Sequence, residues 1–81
     1  MIRAIYQYPD NGYELDRLRC LAVLLEVGKS YEVEQIDMGH SHTNVYLKGY
    51  EFPFNSVSFE FEEDGKPLDI FSDRRFNPYL K

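Results

Sequence analysis

His40 and His42 stand two residues apart, with the carboxylate of Asp37 close upstream. Two imidazoles and a carboxylate can hold a divalent transition metal. A structural zinc site asks for four protein ligands, and Cys20 is the only thiol in the chain. Both histidines fall in Gly39-His40-Ser41-His42, a stretch that reads as a turn, where no strand alternation fixes their direction. They read as solvated turn histidines.

The other reactive residue types fare similarly. A nucleophilic cysteine needs an activating base or a lowered pKa. Cys20 has no histidine near it in sequence and sits in an apolar run, so a small core residue is expected. Ser56 and Ser58 are expected to point outward from a strand, with no triad partners in view. Gly28-Lys29-Ser30 resembles the end of a phosphate-binding loop, but Val23 stands where that loop needs its first glycine. A helix also precedes this segment instead of following it, so nucleotide hydrolysis is not expected. No catalytic residue, no metal and no cofactor is assigned.

Carboxylates and tyrosines remain. Glu60 and Glu62 share one face of a strand, Glu63 and Asp64 extend it into a turn, and Glu32 and Glu34 start on the outside of another. Paired carboxylates can cleave glycosides only beside a substrate cleft, for which 81 residues leave little room. Lys48 and Lys66 are placed to neutralise part of the acid through cross-strand pairs. A charged face of this kind also discourages edge-to-edge aggregation. Tyr46, outward between Asn44 and Lys48, offers rigid area with a polar tip, as interfaces favour. Nucleic-acid platforms alternate aromatics with basic residues, whereas here the neighbours are mostly acids and amides. The expected surface contributors to protein binding are Tyr46, Tyr50, Glu60 and Glu62.

The elements that position these residues follow from period and turn chemistry. Residues 2–8 read as a first strand, broken by Pro9-Asp10-Asn11-Gly12. Residues 13–26 read as a helix: Leu15, Leu18, Ala22 and Leu25 recur at helical spacing, and Leu21 and Leu24 widen that face. Asn11 and Glu14 suit a capping box at one end, and Gly28 a left-handed cap at the other. Residues 30–38 form a second strand. Its apolar parity shifts between Tyr31/Val33 and Ile36/Met38, which predicts a bulge near Glu34-Gln35.

Residues 43–50 form a third strand with Val45 and Leu47 inward. A fourth strand carries Val57, Phe59 and Phe61 inward and closes on Asp64-Gly65, with a short fifth at 68–71. In the tail, Phe76 or Tyr79 is expected to pack on the body. The fold class is mainly β (α+β): a small SH3-like barrel or a strongly bent antiparallel sheet of about five strands with one packed helix.

Gly28-Lys29-Ser30-Tyr31-Glu32-Val33, then a hairpin, then Phe54-Asn55-Ser56-Val57-Ser58-Phe59, resembles a group of small uncharacterised proteins of bacteria, chiefly Gram-positive ones, and of their phages or mobile elements. The Gly-Lys-x-Tyr-x-Val entry is similar to that of SH3-like small barrels. The resemblance covers residues 26–71 and implies fold, not activity.

Composition narrows the function classes. The length fits a single domain over residues 1–81. Six Phe and seven Tyr supply a small core with large buried area each. A net charge of −5 opposes binding to phosphate backbones, so nucleic acid is not an expected partner. One cysteine forms no internal disulfide, and no stretch has signal-peptide or membrane-span character, so a cytoplasmic protein without a membrane partner is expected. The expected function is a non-enzymatic binding module acting on a protein partner. The alternatives are an acidic mobile-element accessory protein that inhibits a host nucleic-acid enzyme and, last, a metal-dependent enzyme. Oligomeric state is left open.

Overall fold

The computed structural model describes residues 1–80. The elements are β1 (Ile2–Tyr6), α1 (Glu14–Ala22), β2 (Ser30–Met38), β3 (Thr43–Leu47), β4 (Phe54–Asn55), β5 (Phe59–Glu63) and β6 (Lys66–Pro67). Short 3-10 turns occupy Ser56–Ser58 and Ile70–Ser72. The strands form one antiparallel sheet in the order β4-β3-β2-β1-β5-β6, so β5 returns to pair with β1.

The sheet is folded back on itself. Phe54 on β4 and Phe59 on β5 lie four strand positions apart, which in a flat sheet means ~19 Å. Their rings are in contact at 6.2 Å between centroids. The bend is built into β2. Its pairing with β3 slips between Val33 and Gln35, where the apolar parity of the sequence shifts. Before the bulge Tyr31 and Val33 face the core; after it Ile36 and Met38 do. Ala4, Tyr6, Tyr31, Val45, Leu47, Phe54, Phe59 and Phe61 line the concave side with Cys20 and Ile70.

Two expectations are corrected around β5. Ser56–Ser58 is a 3-10 turn, not strand, and Val57 is 43% exposed while Ser56 and Ser58 are buried. The cause is Asn55, whose side-chain oxygen accepts a hydrogen bond from Val57 N–H at 3.3 Å and closes a local turn. Ser58 C=O then accepts from the backbone N–H groups of Gln7 and Tyr8, both at 3.1 Å, anchoring the turn to the end of β1. Further on, Asp64 and Gly65 both take positive φ, 51° and 82°. That tight turn brings Lys66–Pro67 back as β6, and residues 70–72 form a 3-10 turn that buries Ile70. The fifth strand expected at 68–71 is absent. Phe76 packs against the core as expected of the tail.

The largest correction concerns the helix. α1 is shorter than 13–26, and its leucine face points away from the sheet. Asp16 and Cys20 are its buried residues, with Arg19 half-buried beside them. Asp16 Oδ2 accepts from Tyr13 N–H at 2.8 Å and from Asn55 Nδ2 at 3.1 Å, which caps the helix and ties it to β4. Gly12 makes this approach possible: at φ +85° a Cβ there would sit 2.8 Å from Asp16 Oδ2. The helix ends at Ala22 with Val23 as its cap, and Leu24, not Gly28, is the left-handed residue that closes it. Leu24 N–H donates to Leu21 C=O, Leu25 N–H donates to Cys20 C=O, and Leu24 itself is left-handed at φ 57°. This is the Schellman arrangement, with leucine in the place glycine usually takes.

Candidate functional site

With Asp16 and Cys20 turned inward, the opposite side of α1 is apolar and wet. Leu15, Leu18 and Leu21 are 59%, 53% and 66% exposed, and Leu24 in the turn that follows is 82% exposed. Tyr13 and Val27 are exposed at either end of the same segment. Glu14 and Arg17 lie among these residues and carry opposite charges. A surface helix normally turns its apolar stripe to the core. Here the stripe faces outward. Sequence reasoning missed its direction, though one signal was present. The charged residues Glu14 and Arg17 fall among the leucines on the helical wheel instead of opposite them.

Cys20 sits in the core beside Tyr6. Burial pushes its thiol above the ordinary range, and burial, reinforced by Cys20, pushes the Tyr6 hydroxyl up to about 12. Both groups are neutral packing residues at physiological pH.

The residues expected as surface contributors fall at two separate places on the sheet. Tyr46 is half-buried on the outer side of β3, opposite Gln35. Tyr50 follows β3 and packs edge-on against Tyr31 and Phe54, with centroids 6.0 and 5.7 Å away, so it extends the core. Glu60 and Glu62 are on the outer side of β5, and β1 and β2 separate them from Tyr46. Tyr8 donates a hydrogen bond from its hydroxyl to Glu60. Glu62 faces Arg3 across the ladder, Arg3 in turn faces Glu32, and Lys48 Nζ lies 3.6 Å from Glu32. Charges alternate along this row, as cross-strand pairing favours.

His40 and His42 are exposed in the β2–β3 turn, where Gly39 N–H donates to His42 C=O at 2.9 Å. They line a groove of about 750 Å³ whose wall includes Met38, Val57 and Tyr79. The His40 ring packs against Tyr79 with centroids 4.2 Å apart and planes tilted by 35°. Among the described residues, no three His, Cys, Asp or Glu side chains converge as metal ligands.

The tail is clasped to β5 by Arg75. Its guanidinium donates to both Glu63 carboxylate oxygens at 2.8 and 2.7 Å and to Asp73 at 2.7 Å. Hydrogen bonding to Arg75 holds both carboxyls below their usual range. Folded-state values lowered in this way add stability above the ordinary carboxylate range, which fades as pH falls through it. Tail docking should therefore be intact at neutral pH and loosen below about pH 4. Arg75→Gln should loosen it at neutral pH and remove most of this pH dependence. Limited proteolysis of the tail reads both effects; equal protection of parent and variant at neutral pH would refute the clasp.

These features define a small, mainly β protein: a folded-over antiparallel sheet with an aromatic core and one helix docked leucines-outward. The chain belongs to the family described as Bacteriophage T4 protein Y07B, whose model matches residues 1–81. It is thus a small phage-type protein, which agrees with the phage part of the resemblance. No curated protein and no solved structure matches it. Among the described residues, no helix is long and apolar enough to cross a membrane.

Proposed function

We propose that the chain is a non-enzymatic binding module that acts through protein contacts made by the outward face of α1. The observation that carries this reading is the exposure of Leu15, Leu18 and Leu21 on a helix whose opposite side is fastened to the core by Asp16 and Cys20. Exposed apolar area of this extent marks contact surfaces. We read the fold as SH3-like, supported by the strand order, the bend in β2 and the 3-10 turn joining β4 to β5. Acidic mimicry of nucleic acid has less support. Glu32 is paired with Lys48 and Glu63 with Arg75, which compensates part of the acidic charge on the sheet.

Affinity capture from a lysate of phage-infected cells tests the reading. Leu15→Gln/Leu18→Gln/Leu21→Gln should lose the proteins that the parent retains, and Tyr46→Ala and Glu60→Lys should keep them. The reverse pattern would move the contact surface to the sheet.

A further inference from the structure

We infer that the occupant of this face is a second copy of the chain, docked through α1 to form a two-fold dimer. The inference rests on the reading of α1 as a contact surface and names what covers it.

Leu15, Leu18, Leu21, Leu24 and Val27 follow one another at steps of three along α1 and the turn after it. Together they offer on the order of 500 Å² of apolar side chain, near the top of what a lone monomer shows. Tyr13, Glu14, Arg17 and Ala22 are exposed around them and enlarge the patch toward the ~800 Å² that each partner gives to a stable interface. A two-fold interface uses the same patch twice, so the patch must be complementary to itself. An apolar band meets that condition, and its Glu14 and Arg17 are of opposite sign. A strongly charged partner would find no matching charge there.

Leu24 supplies an independent reason. A left-handed leucine carries a conformational cost that glycine would avoid. At 82% exposure its side chain recovers no burial within one chain. Burial against a second copy returns that cost. The terminal strands of the sheet, β4 and β6, are poor templates for pairing with a second copy, because each is two residues long and Pro67 removes a donor from one.

Each copy carries a charge of −5, so self-association works against long-range repulsion. Salt screens that repulsion and should strengthen the dimer, whereas it would weaken binding to a basic partner.

Sedimentation equilibrium of the full chain tests this, from about 1 to 300 µM chain and at about 0.05 and 0.5 M salt. The weight-average mass should climb from 9.6 kDa toward twice that value, and more readily at high salt. Leu18→Glu should weaken association at least about 30-fold with an unchanged circular dichroism spectrum. Leu24→Gly should raise the melting temperature of the dilute chain yet weaken the dimer, opposite signs that a purely structural leucine would not give. A 9.6 kDa species at every concentration overturns the inference, as does a dimer indifferent to both variants. If the chain is monomeric but lysate capture still depends on the leucines, self-association falls and the contact reading stands. If capture ignores the leucines and no dimer forms, both fall.

Discussion

Phe54→Ala should bring this protein to the edge of unfolding. Phe54 is 1% exposed and touches the rings of Tyr50, Phe52 and Phe59. It is the contact through which β4 meets β5 and the folded-over sheet closes. Truncating a buried phenylalanine costs about 3–5 kcal/mol in lost transfer energy and unfilled cavity. A domain of this size holds about 4–12 kcal/mol in all. The melting temperature should fall by roughly 15–30 °C. Val57→Ala, three residues away, should cost under about 0.5 kcal/mol, because Val57 faces solvent from the 3-10 turn. Urea titrations of the two variants read the contrast. Equal losses would mean that Val57 belongs to the core after all.

Asp16→Ala should be the most damaging change at a charged position, at about 2–4 kcal/mol. It removes the acceptor for Tyr13 N–H and leaves the buried Asn55 amide without its partner. Asp16→Asn should recover most of the loss, because both hydrogen bonds go to a single oxygen, Oδ2, which an amide carbonyl can replace. Gly12→Ala should weaken the same cap from the other side through its positive φ and its contact with Asp16. If Asp16→Ala melted like the parent, the helix would be oriented by something other than this carboxylate.

Much of the sheet was legible because period and parity are written in single residues. The slip from Tyr31/Val33 to Ile36/Met38 located the bulge, and Asp64-Gly65 located the last hairpin. Ser56-Val57-Ser58 misled because polar–apolar–polar alternation looks the same in a strand and in a single 3-10 turn. The discriminating signal was Asn55, whose side chain competes for Val57 N–H. The helix misled for a different reason. Leucine spacing shows which residues share a face, but not whether that face meets the chain's own core. Its direction was decided by Asp16 bonding to Asn55, 39 residues away, a pairing that no local pattern announces. The exposure of the leucines was hidden with it, whereas Tyr46 and Tyr50, at and after β3, and Glu60 and Glu62, on β5, fall at separate places on the sheet.

The central claim is that α1 offers its leucines to a partner and not to its own core. Equilibrium unfolding of Leu15→Gln/Leu18→Gln/Leu21→Gln, at a dilution where the parent chain is monomeric, tests it most directly. Glutamine matches leucine closely in helix propensity, so outward positions should leave the unfolding free energy within about 1 kcal/mol of the parent. A loss of about 6 kcal/mol or more, the cost of opening three core positions, would place those leucines inside and contradict the account.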